Sequence, residues 1–416
     1  MQKPGSVVVV GGGPAGMVCG LLLARAGVPV TVLEKHTDFF RDFRGDTVHP
    51  STLTLLDELG LGPAFDQVPY SRLERIRLPV RGGGEVVVGD LTRLRLARRY
   101  IAMTPQWDFL NVLADAGRDE PAFTLRMGTE CTGLLRSGGR VTGVRCRGVD
   151  GDQELPADLV IACDGRTSDV RAAAGLPMVE HRVNLDVWWF RLPTRVPIGS
   201  SLLPRTGPGT VFVMIPRRDY VQAARLIPKG SDAALRAEGI AALRAAVARA
   251  APELADAAAG LEWDQVKLLD VRVNRLRRWW APGLLCIGDA AHAMSPAGGV
   301  GVNLAVQDGV AAARLLARPL RDGRLRDAGL RAVQRRRSFA ARATQAAQLL
   351  IHRGIESLLA GAARLEVPPR AAALLRRVPA LTVVPAYLAG IGVRPEHAPA
   401  FARRTPKPAA GPTVPE

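Results

Sequence analysis

Lysine is scarce in this chain: of its 56 basic residues, only Lys3, Lys35, Lys229, Lys267 and Lys407 are lysine. The net charge of +17 is therefore carried by arginine, and abundant arginine and alanine with little lysine reads first as a bias toward GC-rich codons. Such a balance attracts anions in general. Aromatic residues make up only 5% of the chain and do not interleave with the basic ones. No nucleic-acid partner is expected, because single-stranded nucleic acid needs stacking platforms beside its cations. The five cysteines (Cys19, Cys131, Cys146, Cys163 and Cys286) share no paired spacing. That excludes a disulfide framework and fits small core residues in a reducing, cytoplasmic compartment. The six histidines are isolated from one another, so no metal centre is expected. No apolar run reaches the ~18 residues of a membrane-spanning helix. Lys3 and the apolar stretch behind it faintly suggest a signal peptide. Gly11, Gly12, Gly13, Gly16 and Gly20 interrupt that stretch at the spacing of a phosphate loop, which favours a structural reading.

Apolar residues account for 47% of the 416 positions, enough for a large core. The length allows two or three domains, or one large α/β unit with an insertion. Three places pair a short apolar strand with a glycine-and-acid turn. The first is the β-branched run at residues 6–10, followed by Gly11-x-Gly13-Pro14-Ala15-Gly16 and an Ala/Leu-rich helix to about Ala26. A second strand at residues 28–33 then ends at Glu34-Lys35. In this strand–helix–strand context the first glycine makes the tight turn and the second admits a pyrophosphate. The third lets helix and strand pack closely, and the acid binds an adenosine ribose. The second place is the strand at residues 159–163, followed by Asp164-Gly165 with Ser168 and Arg171. The third is the apolar run at residues 284–287, followed by Gly288-Asp289, then Pro296, Gly298, Gly299, Gly301, Val302 and Asn303 and a helix. Glycines there let backbone N–H groups approach a ligand, and the helix start turns its positive end toward it. All three strand ends are expected at one edge of a parallel sheet, where such sheets bind ligands.

Other stretches complete the organisation. Residues 39–50 form an aromatic and charged loop in which Arg44 could reach a pyrophosphate, with Asp42 or Asp46 as bland ion-pair partners. A helix follows from Pro50 to Leu59. Strand-like pieces at residues 73–78 and 85–88, a helix from Gln106, and alternation at residues 123–149 around a Gly138-Gly139 turn come next. Long antiparallel strands are expected at residues 183–191, 210–215 and 220–227, a helix at 233–250, and a strand at 266–275. Helices broken at Pro319, Pro368-Pro369, Pro379 and Pro385 follow, with the Arg-rich stretch 331–342 read as a solvated face. Residues 403–416 read as a Pro-rich disordered tail.

Together these stretches resemble the class A (single-component) FAD-dependent aromatic hydroxylases, the p-hydroxybenzoate-hydroxylase-like flavoprotein monooxygenases, over roughly residues 5–320. The pairing of Asp164-Gly165 with Gly288-Asp289 is more specific than the first glycine motif alone. The ending Gly392-Val393-Arg394-Pro395-Glu396-His397 also resembles some bacterial members. The resemblance implies an α/β fold with a Rossmann-like FAD-binding domain, an inserted, mainly antiparallel substrate domain, and a helical C-terminal part. Residues 1–72, 105–177 and 277–318 would form the FAD domain, 73–104 and 178–276 the substrate or lid part, and 319–402 the C-terminal helices. It further implies that Gly11, Gly13, Pro14, Ala15 and Gly16 meet the FAD pyrophosphate and that Glu34 and Lys35 lie at the ribose. Arg44 and Gln106 would flank the phosphate and ribityl region, and main chain near Cys131 would lie by the adenine. Asp164 belongs to the turn associated with both FAD and NAD(P)H. Gly288 and Asp289 would hold the ribityl chain, and Pro296, Gly299, Gly301, Val302 and Asn303 the isoalloxazine ring.

The implied chemistry is reduction of the flavin by NADPH or NADH, then reaction with O₂ to a C4a-hydroperoxide that oxygenates an electron-rich, apolar or aromatic small molecule. Pro296, Arg44 and Tyr220 are the catalytic candidates, with His49, Asp46 and Tyr100 as further candidate bases. His292 reads as a structural partner within its turn. A halogenase, a double-bond reductase or a non-catalytic FAD-binding accessory protein would share the fold, although the Trp-x-Trp-x-Ile-Pro signature of flavin halogenases is absent. A monomer or homodimer is expected.

Overall fold

The computed structural model describes residues 5–40, 47–194, 203–207, 209–217, 219–361 and 365–405. At its centre the run Val7–Val10 is buried on both faces, as expected of a strand inside a parallel sheet. Val7 and Val9 point to one core, and Val8 and Val10 to another. The sheet has six strands, in the order Trp280–Ala281, Leu284–Cys286, Leu159–Ala162, Val7–Val10, Val30–Leu33, Phe123–Arg126. All pairs are parallel except the first. One face is covered by the helices Pro14–Arg25, Gln106–Arg118 and Val300–Arg321. The other carries the three-stranded meander Glu130–Ser137, Arg140–Gly148, Gly151–Pro156. The ends of Val7–Val10, Leu159–Ala162 and Leu284–Cys286 therefore lie side by side at the carboxyl edge.

A second, five-stranded antiparallel sheet runs in the order Leu203–Gly207, Thr210–Pro216, Tyr220–Pro228, Leu185–Pro193, Lys267–Leu269. Trp188, Phe190, Leu192, Phe212 and Met214 fill one face, against Leu243 and Val247 of the helix Ile240–Ala250. Trp189, Val213 and Ile215 occupy the opposite face, where they meet Leu73, Ile101, Met103, Ala386 and Ile391. The aromatic cluster 188–190 thus divides: Trp188 and Phe190 fill one core, and Trp189 lies on the other face, against Leu73, Ile101, Met103, Ala386 and Ile391. The helix Asp327–Leu359 packs on Val300–Arg321 and reaches the second sheet through Leu349, Ile355 and Leu358.

Several local expectations are corrected. The helix expected at 233–250 is two helices, Asp232–Ala237 and Ile240–Ala250, because Gly239 takes φ 85°. Residues 266–275 are two strands, Lys267–Leu269 and Val273–Leu276, in different sheets. Residues 73–78 divide into Ser71–Leu73 and Arg75–Pro79, which also belong to separate sheets. Pro319 breaks nothing: it sits near the C-terminal end of Val300–Arg321, where its ring costs only one late backbone hydrogen bond. The stretch 331–342 is not simply a solvated face, since the Arg337 side chain is fully buried. Arg403, placed in the disordered tail, donates to Glu58 Oε1 at 3.1 Å. Residues 406–416, Arg44 and Asp46 lie outside the described residues.

Candidate active site

The first turn assigns separate tasks to its glycines. Gly11 has φ 106°, and a Cβ there would lie 2.4 Å from Cys163 O. A Cβ on Gly16 would lie 2.0 Å from Gly11 O, whereas one on Gly13 meets nothing within 4 Å. Gly11 and Gly16 are therefore required by packing, and Gly13 leaves open space in front of a helix start. That helix, Pro14–Arg25, has Pro at its first turn, no side-chain cap and no acid in the first turn. Its leading N–H groups are left for an external acceptor, and its dipole favours an anion. The buried Glu34 accepts from Gly12 N and from His36 N, both at 3.1 Å. Lys35 beside it is exposed.

At the second turn Asp164 folds its own loop. Its carboxylate accepts from Ser168 Oγ at 2.5 Å and from Val170 N at 3.1 Å. Burial pushes this carboxyl above the ordinary aspartate range, against those hydrogen bonds. Ser168 in turn caps the short helix by accepting from Arg171 N. The Arg171 guanidinium donates to Ala290 O at 3.0 Å and to Arg166 O at 2.7 Å, joining the second turn to the third. Arg166 Nε donates to Asp289 Oδ2 at 3.1 Å.

The third turn opens at Gly288, φ 60°. After it come Gly298 at φ 80° and Gly299 at φ 65°, which is the N-cap of Val300–Arg321. Two successive left-handed residues admit only glycine cheaply. This helix also starts without a side-chain cap or first-turn acid, so N–H groups of Val300, Gly301 and Val302 face outward from a positive helix end. The Asn303 side chain turns inward instead: Oδ1 accepts from Ser51 Oγ and Thr52 Oγ1, each at 2.8 Å.

Sequence reasoning missed what holds this loop from behind. On the helix Asp327–Leu359, Gln348 Oε1 accepts from Ser295 N at 3.1 Å. Its Nε2 donates to Ser295 O at 2.9 Å and Ala297 O at 3.0 Å. Ser295 Oγ accepts from Ala297 N and lies at hydrogen-bond distance, 2.6 Å, from His352 Nε2. Gln345 donates to Asn274 O and Ala293 O. The signal was legible: Gln345, Gln348 and His352 repeat at core spacing on one helix face. His292 lies within the third turn, as expected, and bonds Asp308 of the following helix.

Of the remaining candidates, Tyr220 begins a strand of the second sheet and shares Trp189's face, with the Arg191 guanidinium 5.2 Å from its ring centre. His49 is buried beside Gly299: Nδ1 donates to Ala389 O at 2.6 Å, and Nε2 lies 3.2 Å from Thr47 Oγ1. Tyr100 is placed elsewhere, bonded to Tyr70 and Arg98. Gln106 opens its helix and is half-buried. The half-buried Cys131 lies on the meander, and burial pushes its thiol up to about 11. Among the described residues no cluster of ligating side chains could hold a metal ion.

An open cradle at Gly13 and two uncapped helix starts at one sheet edge fit a cofactor with a diphosphate at one end and an electron-rich ring at the other. A family model described as "FAD binding domain" matches residues 5–347. The chain belongs to the FAD-dependent class A flavoprotein monooxygenase family. It is 37% identical over 380 residues to the 6-methylpretetramide 4-monooxygenase of Streptomyces rimosus, covering 90% of this chain and 89% of that one. The rifampicin monooxygenase of Streptomyces venezuelae is 29% identical over 73% of this chain, which spans only 62% of that longer relative. The p-nitrophenol 4-monooxygenase structure from Pseudomonas putida superposes with a TM-score of 0.72 over 93% of this chain and 97% of that one, at 22% identity. That last likeness shows the fold alone. The protein is an FAD-dependent oxidoreductase.

Proposed function

We propose that this flavoprotein monooxygenase uses NADPH or NADH to insert one oxygen atom of O₂ into an apolar aromatic or phenolic small molecule. The overall balance is substrate, O₂, NAD(P)H and a proton giving hydroxylated substrate, water and NAD(P)⁺. The observation that carries the reading is the uncapped start of Val300–Arg321 behind Gly298-Gly299, at the sheet edge shared with the Gly13 cradle. The relative at 37% identity acts, by its name, on 6-methylpretetramide, and a compound of that class is the substrate we favour.

In this reading the Pro14 helix start and Gly13 receive the FAD diphosphate, and Glu34 the adenosine ribose. Asp289, fixed by Arg166, meets the ribityl chain. Bound FAD supplies the hydride acceptor and the oxygen-activating centre. The N–H groups of Val300, Gly301 and Val302 stabilise negative charge at the ring edge without a titratable side chain. Pro296 shapes the surroundings of the reacting oxygen, and Trp189 excludes water from the substrate side. Tyr220 and Arg191, on the same sheet face, orient a phenol, and the guanidinium favours its phenolate form.

The test is to purify the FAD-loaded protein and follow nicotinamide oxidation with phenols and 6-methylpretetramide, with products analysed by mass spectrometry. A product one oxygen atom heavier supports the reading. A flavin that neither NADH nor NADPH reduces, or one that is reduced without any oxygenated product, overturns it.

A further inference from the structure

The last helical pair, Pro369–Arg377 and Pro379–Gly390, is bent by 102°. Only its inner side rests on the protein, through Ala372, Thr382, Ala386 and Gly390. Leu374, Val378, Leu381, Val384, Tyr387 and Leu388 are between 40% and 62% exposed. Single exposed apolar side chains are ordinary, but a contiguous group of them marks an interaction surface. Exposed Arg370, Arg376 and Arg377 border this one, and no acidic residue lies between Glu366 and Glu396.

The charges select the occupant. A two-fold dimer would set this face against its own copy, which offers the arginines no acidic partner between Glu366 and Glu396. An anionic bilayer surface instead offers headgroup phosphates to the arginines and an apolar boundary to the leucines and valines. A 102° bend prevents the pair from crossing a bilayer as one straight rod, and amphipathic helices of this composition lie in the interface plane. The inner end of the pair abuts the active-site loops: Ala389 O accepts from His49 and Gly390 O from Ser51 Oγ at 3.3 Å.

We propose that the face built from Pro369–Arg377 and Pro379–Gly390 seats the protein on an anionic lipid surface, its apolar side chains entering the headgroup boundary and Arg370, Arg376 and Arg377 pairing with lipid phosphates. This goes beyond the oxygenation reading and stands whether or not that reading survives.

The test is co-sedimentation of the FAD-loaded full chain with vesicles of phosphatidylcholine alone and of phosphatidylcholine with phosphatidylglycerol, at low and physiological salt. Partition onto the anionic vesicles, and little onto the neutral ones, is expected. Replacing Arg370→Gln, Arg376→Gln and Arg377→Gln together lowers that partition about a hundredfold. Leu381→Ser with Leu388→Ser lowers it about tenfold or more, at both salt concentrations. Flavin content stays unchanged in both variants, since all five side chains are exposed, and the Tm of the arginine variant falls only slightly, as Arg376 gives up its exposed hydrogen bond to Glu85 O. The proposal is overturned if the protein ignores anionic vesicles, or if its partition follows salt alone and is untouched by the leucine replacements, which would leave only general basic charge. It is equally overturned if sedimentation velocity reveals a dimer that the leucine replacements dissociate.

Discussion

His292 and Asp308 form a fully buried pair, with His292 Nε2 2.5 Å from Asp308 Oδ2. The same carboxylate accepts from Gly288 N at 3.1 Å and from Arg337 Nε at 2.8 Å. One side chain thereby joins the third glycine turn, the Val300 helix and the long helix behind it. Its position in the sequence, inside an apolar helical stretch, gave no sign of this role.

Asp308→Asn leaves the buried Arg337 with only the longer contact to Glu396 Oε1 at 3.9 Å, and removing one member of a buried pair costs up to about 3–5 kcal/mol. Burial alone would raise the Asp308 pKa, but His292 and Arg337 outweigh it and the folded carboxyl lies below its usual value. The stability it contributes is therefore present above about pH 4, the unfolded value, and is lost as pH falls through the lower folded value. Urea unfolding across acidic pH should show a shallower pH dependence in the variant than in the parent. Equal dependence in the two would remove Asp308 from this role.

Asp289→Ala removes a carboxylate assigned to the ribityl chain and frees the Arg166 guanidinium that holds it at 3.1 Å. FAD affinity, read by fluorescence titration of the apoprotein, should weaken about ten- to a hundredfold, the loss of one or two charge-assisted hydrogen bonds. An unchanged dissociation constant would take Asp289 out of the site.

His352 stands behind the loop that carries Pro296. Burial lowers its pKa, partly opposed by Glu356, so the folded ring stays neutral beside Ser295 Oγ. A histidine depressed in this way contributes stability above its unfolded value of about 6.5, and loses it as pH falls below that. FAD retention, a property of the folded protein, should therefore decline only as pH falls through the folded ring's value, which lies below 6.5. His352→Gln, which keeps a polar partner for Ser295, should flatten the decline. A variant that releases FAD along the parent's pH curve would exclude this residue as its source.

Much of the fold was legible because its signals are local. Short β-branched runs, each closed by a glycine-and-acid turn, marked three strands, and the sheet order then placed their ends side by side. The parts that stayed hidden depend on context. Gly239 lay inside one expected helix, but its φ of 85° separates two, whereas Pro319, expected to break a helix, sits in a terminal turn where little remains to break. The buried Arg337 resembled its solvated neighbours, because only tertiary contact with Asp308 distinguishes it. Trp188 and Trp189 are adjacent in sequence, but one fills the core under the helix Ile240–Ala250 and the other lies on the opposite sheet face, against Ile101, Met103 and Ala386.

The most direct measurement concerns Gly13. Its N-cap backbone has φ −74° and ψ −179°, open to any residue, and a Cβ there meets nothing within 4 Å. If the space before it receives the FAD diphosphate, Gly13→Ala should leave the apoprotein's unfolding midpoint within about 0.5 kcal/mol of the parent while weakening FAD binding at least about a hundredfold. Gly16→Ala, whose Cβ would fall 2.0 Å from Gly11 O, should destabilise the apoprotein itself and so calibrates the comparison. An apo-stable Gly13→Ala protein that binds FAD as tightly as the parent would contradict the account.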